Sequence, residues 1–255
     1  MKAFDTVILG SGYFSLGYAM TMPDTLIIER THLCDPTFGG TLFGFCAEGD
    51  RNIGAETERL RDFYAEHGLI DGNCFNASVS EAGMCAYALK NNVEILFGSV
   101  CIEIVKRCFG YEITVFNNGG FESIGAKRVI DARRGRGKIL SVLCRGEISA
   151  EELTCTDDFK VDVTRAFREE ERVVNFTFFG ETDVNFAKAK AVRYLEALLP
   201  ETGAKILQCA YLMREDASLP PFTDGDIPAV RDISYKTALN AFDAGVKYAE
   251  EVSVK

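Results

Sequence analysis

The first thirty residues constrain this chain more than any other segment. Residues 6–9 are apolar or β-branched, Gly10-Ser11-Gly12 breaks the run, and Phe14, Leu16, Ala19 and Met20 share one face of a following helix. Pro23-Asp24 ends that helix, and a second apolar run over residues 25–28 finishes in Glu29-Arg30. A strand, a tight glycine turn, a helix and a second strand in so short a span make a β-α-β unit, and its helical crossover requires parallel strands. Gly10-x-Gly12-x-x-Ser15, placed between strand and helix, fits a dinucleotide site, because the glycines let the backbone approach a pyrophosphate resting on the helix N-terminus. Ser15 replaces the third glycine and is still small. The acid that would accept from a ribose hydroxyl, about 20 residues further on, is Glu29. The plainer alternative is an ordinary strand–helix turn with Glu29 at a solvated strand end.

Further along, residues 37–41 read as a loop, and residues 56–67 as an amphipathic helix with Leu60, Phe63, Tyr64 and His67 at helical spacing and Gly68 as its stop. Residues 80–90 read as a helix capped by Ser80 and ended by Asn91-Asn92. Over residues 93–132 the pattern becomes β: runs at 93–97, 100–106 and 111–116, a turn at 117–120, and a final short strand at 128–131, together an antiparallel meander. Beyond it the sequence predicts strands at 159–163 and 173–179 joined by a solvated charged turn at 168–172. It then predicts a helix at 186–199 stopped by Pro200, a strand at 205–213, a break from Pro220 to Pro228 and a closing helix at 234–252.

Composition narrows the partners. At 255 residues, 47% hydrophobic and 26% charged, the chain has room for one large α/β domain or two small ones and is not disordered or fibrous. Net charge is −10, from 28 basic and 38 acidic residues, which argues against nucleic acid or an anionic membrane as partner. The cluster Arg133, Arg134, Arg136 and Lys138 is therefore a local feature. No apolar run approaches the ~18 residues of a membrane span and no leader pattern opens the chain, so the expected address is the cytoplasm. Nine cysteines without a C-x-x-C pair, and two histidines far apart, point away from a metal site. Cys34 and Cys46 flank Gly39-Gly40 and His32 follows the second strand, but no partner spacing supports a catalytic role for any of them, and catalytic residues stay unassigned.

With Ile28-Glu29-Arg30-Thr31 followed by Phe38-Gly39-Gly40-Thr41, the stretch from Thr6 to Gly44 resembles the opening of FAD-dependent oxidoreductases of the two-dinucleotide-fold flavoprotein group. In that family a β-meander runs into an Ala-Thr-Gly segment, where this chain has Val129-Ile130-Asp131-Ala132, and a Gly-Asp pair precedes a closing helix, to which Asp224-Gly225-Asp226 is similar. The resemblance implies an α/β fold: a Rossmann-like parallel sheet with a β-meander crossover, plus a small α+β insert domain. It implies a discontinuous FAD-binding domain over residues 1–45, 81–140 and 222–255, and a substrate or cap domain over 46–80 and 141–221. It also implies FAD as cofactor and a small-molecule substrate. Gly10, Gly12 and Ser15 would then lie at the pyrophosphate, Glu29 at the adenosine ribose, Arg30 and Val100 beside the adenine, and Gly39 and Gly40 toward the flavin. Tyr13, Phe14, Thr41, Ala132, Arg133, Gly225 and Asp226 would complete the cofactor-binding set, with Asp226 at the ribityl or pyrophosphate part.

One departure divides the functional readings. Ala132-Arg133-Arg134 places two long cations where the family has Thr-Gly, and an arginine there either reaches a diphosphate as a bidentate donor or points to solvent. The leading expectation is an FAD-dependent oxidoreductase moving a hydride or electron pair between a small molecule and flavin. Its rival is a non-catalytic or adenine-nucleotide-binding descendant of the fold, serving as partner or scaffold. A third reading, an enzyme using nicotinamide alone, has no need of Gly39-Gly40 or the meander.

Overall fold

The chain begins as its pattern dictates, with β1 (Lys2–Leu9), α1 (Tyr13–Thr21) and β2 (Thr25–Ile28), β1 and β2 running parallel with Thr6 opposite Thr25 and Leu9 opposite Ile28. The structure is a computed structural model, described over residues 2–45, 53–72, 74–135, 137–149, 151, 153–215 and 226–253, without the side chains of 199, 201 and 202. After β2 come α2 (Ala55–Glu66), the two-residue strands β3 (Ile70–Asp71) and β4 (Cys74–Phe75), and α3 (Ser80–Lys90). Then follow β5 (Glu94–Leu96), β6 (Val100–Arg107), β7 (Gly110–Asn117) and β8 (Gly120–Asp131). These form a six-stranded sheet in the order β5-β2-β1-β8-β7-β6, parallel from β5 to β8 and antiparallel from β8 to β6.

Two sequence expectations are corrected here. The run at 93–97 is not the first strand of the meander: β5 pairs parallel with β2 on the far edge. The expected short strand at 128–131 is the end of a longer strand, β8, whose first half pairs with β7 and whose second half runs parallel to β1. Twelve residues are long enough to serve both neighbours.

A second, antiparallel sheet follows: β9 (Ile139–Arg145), β10 (Phe159–Arg165), β11 (Glu171–Phe178) and β12 (Lys205–Cys209), in the order β10-β11-β9-β12. The helix α4 (Val184–Thr202) packs on one of its faces, Tyr194 meeting Phe159 and Phe176 edge to face. Pro200 does not stop α4, which carries it in its last turn, where the missing N–H removes one hydrogen bond at a fraying end. Glu171 is not part of a solvated turn either. It opens β11, is buried, and draws Arg145 and Arg168 to 3.7 and 4.0 Å.

The closing helix α5 (Ala238–Ser253) starts later than the pattern suggested, because Asp232–Tyr235 form a separate 3-10 turn. It crosses α1 at backbone contact: a Cβ at Gly17 would run into the Phe242 carbonyl, and one at Gly245 into the Phe14 carbonyl. This reciprocal fit lets α5 lie flat on α1 and hold the first strand–helix turn in place. Gly245→Ala is expected to lower stability by roughly 1–3 kcal/mol, the ordinary cost of overpacking, measurable by urea denaturation. A variant as stable as the parent would mean the helices part without cost.

Candidate functional site

The candidate site is the turn between β1 and α1, and the elements converging on it are β2, the end of β8 and the segment before α5. Gly10 takes a φ of 100°, and a Cβ on it would lie 2.6 Å from the Ala132 carbonyl oxygen, so only glycine lets β8 pass this closely. Ser15, at the third-glycine position, donates its hydroxyl to the Gly10 carbonyl at 2.8 Å and so ties the first turn of α1 back to the loop. Residues 10–13 are all buried, and it is the chain itself that buries them.

Glu29 stands at the end of β2, as the sequence predicted, and most of its acceptor capacity is used within the chain. Oε2 takes the Ser11 N–H at 2.8 Å, and Oε1 takes the Thr31 N–H and hydroxyl at 2.7 and 2.8 Å. The single Ser11 hydroxyl proton is shared between the Leu33 carbonyl at 2.9 Å and Oε2 at 3.1 Å.

At the N-terminus of α1 sits a residue the sequence reading did not single out. The Asp232 carboxylate accepts from Tyr13 N–H at 2.8 Å and from Phe14 N–H at 3.1 Å. This is the anion position that unsatisfied N–H groups and the helix dipole favour. Burial pushes the Asp232 carboxyl up to about 7, against the lowering effect of those two N–H groups. A signal for it was present. Residues 227–230 form a short apolar run that joins the end of β8 through a parallel bridge between Asp131 and Ala229, with Val230 N–H donating to Asp131. Arg231-Asp232 therefore holds the place before the closing helix where the family resemblance puts Gly-Asp. Gly225-Asp226 carries the glycine that Arg231-Asp232 lacks and so matches the pattern better by sequence.

The remaining predicted residues are spread around this centre. Gly39 and Gly40 lie in a buried turn organised by Asp35, whose carboxylate accepts from Phe38 N–H at 2.9 Å, Gly39 N–H at 2.7 Å and the Ser80 hydroxyl at 2.6 Å. Ser80 thus serves Asp35 and does not cap α3, whose N-cap position is Val79. Burial pushes Asp35 up to about 6, the Ser80 and backbone hydrogen bonds opposing it. Thr41 is buried and donates to the Thr37 carbonyl. The Tyr13 and Tyr64 hydroxyls meet at 2.8 Å in the core, both raised by burial. Phe14 packs against Tyr235 and Tyr248.

Arg30 and Val100 are exposed, Val100 opening the edge strand β6. Ala132 lies against Gly10, and Arg133 folds back onto Asp131 through two hydrogen bonds of 2.9 and 2.6 Å. Asp226 is on the surface, where Lys106 holds its carboxyl below the ordinary range at 2.9 Å, away from the turn. Gly225, Cys46 and Arg136 lie outside the described residues. Arg134 reaches inward: its guanidinium donates to the Met213 carbonyl at 3.2 Å and feels the charges of Glu215, Arg30 and Glu29. Next to it Glu215 accepts from Gly135 N–H at 2.8 Å and pairs with Arg231 at 3.1 Å, both side chains almost fully buried. Arg214 lies over the Phe43 ring at 4.3 Å.

No protein-family model and no curated protein sequence matches the chain. Solved structures do. A ternary complex of aklavinone-11 hydroxylase with FAD and aklavinone matches with a TM-score of 0.57 and 14% identity, covering 98% of this chain and 62% of that one. The anhydrotetracycline hydroxylase OxyS of Streptomyces rimosus matches with a TM-score of 0.54 and 15% identity, over 99% and 63%. A geranylgeranyl bacteriochlorophyll reductase-like protein of Thermoplasma acidophilum matches with a TM-score of 0.54 and 15% identity, over 98% and 78%. The fold is that of the FAD-dependent oxidoreductases. The chain spans about three-fifths of the length of the two hydroxylases. Among its described residues no helix is long and apolar enough to cross a membrane.

Does this turn fit FAD? A pyrophosphate resting on α1 needs its first N–H groups, and those of Tyr13 and Phe14 belong to Asp232 while that of Ser11 belongs to Glu29. Glu29 already holds the Ser11 N–H and both Thr31 donors, which leaves part of Oε2 for a ribose hydroxyl. A pyrophosphate there would also have to displace the buried Asp232 carboxyl group from the head of α1. In this arrangement the head of α1 does not fit the cofactor's pyrophosphate.

Proposed function

We propose that this chain is a descendant of the FAD-dependent oxidoreductase fold that keeps the architecture, holds no flavin, and serves as a non-catalytic partner or scaffold. The observation that carries this reading is the Asp232 carboxylate on the N-terminus of α1, an anion of the chain's own where a dinucleotide would bring its phosphates. Arg134, Glu215 and Arg231 support it, because their charges are satisfied by one another and by backbone groups beside the same turn. The purified full chain is expected to be colourless and to leave the fluorescence of added FAD unquenched. Release of stoichiometric FAD on denaturation would overturn the proposal.

A second reading is favoured by one observation: Gly10, Gly12 and Glu29 occupy the strand–helix turn of a fold whose relatives include one bound to FAD. It is an FAD-dependent oxidoreductase, in the cytoplasm, moving a hydride or an electron pair between a small molecule and flavin. In that reading residues 1–45, 81–140 and 222–255 carry the cofactor and residues 46–80 and 141–221 cap the substrate. A flavin spectrum would select it, and reduction of that flavin by candidate small molecules would follow.

A further inference from the structure

We propose that the cavity between β7, β8 and the end of α5 binds a small aromatic carboxylate, with Arg128 holding the carboxylate group. The cavity exists because β8 lacks a neighbour along part of one edge. β7 pairs with β8 only as far as Tyr111 opposite Ala126, and the segment before α5 rejoins it at Asp131 through Ala229. Among the described residues no strand covers that edge over residues 127–130. Asp131 donates its N–H across it to the Pro228 carbonyl at 2.9 Å. Backbone groups of a strand change edge at every residue, so the N–H and C=O of Val129, two residues earlier, point into the gap. Val129 is almost fully buried, and buried backbone groups call for a partner.

The resulting cavity measures about 170 Å³, close to the roughly 150 Å³ that holds one benzene ring. Its inner wall is aromatic and fixed in place. The Tyr18 hydroxyl meets Thr6 Oγ1 at 3.1 Å, and the Tyr248 ring leans on Tyr18 and Phe14 at centroid distances of 6.2 and 5.8 Å. Tyr111, Pro228 and Val252 complete the walls. The polar side is cationic. Of the two cations that line it, Lys127 is paired with Asp5, whereas among the described residues no carboxylate pairs with the exposed Arg128. That is notable in a chain with 38 acidic residues against 28 basic ones. The hydroxyls of Tyr111 and Tyr248 likewise meet no hydrogen-bonding group among the described residues. Burial raises the Tyr248 hydroxyl and the Arg128 charge opposes that rise, so guanidinium and phenol face one another electrostatically.

This combination selects the ligand class. A carboxylate takes two parallel hydrogen bonds from a guanidinium, and a ring of benzene size meets the tyrosines edge to face. A bare inorganic anion would leave the apolar walls unused, and a neutral aromatic would leave Arg128 unused. The cavity lies toward the far end of α1 from Asp232, so the proposal holds whether or not the head of α1 takes a cofactor.

The test titrates benzoate into the full chain and follows backbone amide shifts by NMR. Saturable shifts are expected at Arg128, Val129 and Tyr248, with a Kd in roughly the millimolar range or tighter. Benzyl alcohol, of the same size and uncharged, is expected to bind about tenfold more weakly to the parent chain, a comparison that needs no variant. Arg128→Gln, a change on an exposed side chain, should weaken benzoate by about the same factor and leave benzyl alcohol unchanged. A melting curve establishes that the variant is folded. Absence of saturable shifts in the parent, shifts confined to another region, or equal benzoate binding by parent and Arg128→Gln would overturn the proposal.

Discussion

Stability is expected to fall as pH rises from about 4 to 7, by about 4 kcal/mol through Asp232 alone. Its carboxyl is raised by burial from 3.8 to about 7, roughly three units at about 1.4 kcal/mol each. The sign follows from proton counting. Within this window the folded state keeps a proton that the unfolded state has released, so raising the pH favours unfolding. The contribution is complete below the unfolded value and gone above the folded one. Asp35, raised to about 6 by burial, acts in the same direction over a narrower window. Asp243, which the Lys247 ammonium and the hydrogen bonds from Gly54 and Thr57 hold low against burial, acts in the opposite one. The diagnostic quantity is therefore a difference: urea denaturation of the parent and of Asp232→Asn at pH 4.5 and 7.5. Asparagine keeps one acceptor oxygen for the α1 N–H groups but cannot ionise, so its curve should lack the Asp232 share of the slope. Equal pH dependence in the two proteins would show that the carboxyl at the head of α1 titrates normally.

The same buried acid marks the boundary of what the sequence made legible. The β1-α1-β2 unit, the Glu29 strand end and the β6–β7 hairpin were readable because each rests on local alternation, helical spacing or glycine punctuation. The β9 strand was not, since residues 140–144 are buried throughout, leaving no alternation to detect. Its polar member, Ser141, is satisfied across the sheet by Asn175 at 2.7 Å. The parallel pairing of β5 with β2 was hidden because a three-residue strand reads the same in either direction. At the site, residues 10, 12 and 29 were found because they recur at fixed spacing. Asp232 escaped because its partners, Tyr13 and Phe14, lie more than two hundred residues away in the chain. The Arg231–Glu215 pair escaped because two opposite charges on separate segments leave no periodic signal. Asp35 was a nearer miss: an acid three and four residues before the N–H groups it accepts from is a local turn signature. Gly39-Gly40 was read from its glycines alone.

Gly12→Ala is expected to lower stability by about 2–4 kcal/mol, and the loss should depend on Asp232. The Gly12 backbone is extended, with a φ of 166° that any residue adopts, so an alanine brings no conformational strain there. What it brings is a methyl group inside the Asp232 carboxylate. To make room the carboxylate must withdraw from Tyr13 and Phe14, leaving two buried N–H groups at the head of α1 without their acceptor, at roughly 1–3 kcal/mol for an unsatisfied group. In an Asp232→Ala background those bonds are already lost and the space is open. There the same Gly12→Ala change should cost less than about 1 kcal/mol, giving a coupling of the size found between residues in direct contact. A double-mutant cycle by urea denaturation measures it. A glycine kept for a cofactor gives the other pattern: Gly12→Ala would be nearly neutral to the protein without FAD, and its cost would appear in FAD affinity. Strong coupling to Asp232 with no FAD uptake would mean that the second glycine of the turn now accommodates the chain's own carboxylate. The glycine pattern would then persist without a dinucleotide, because Asp232 imposes the same demand for close backbone approach that a pyrophosphate would.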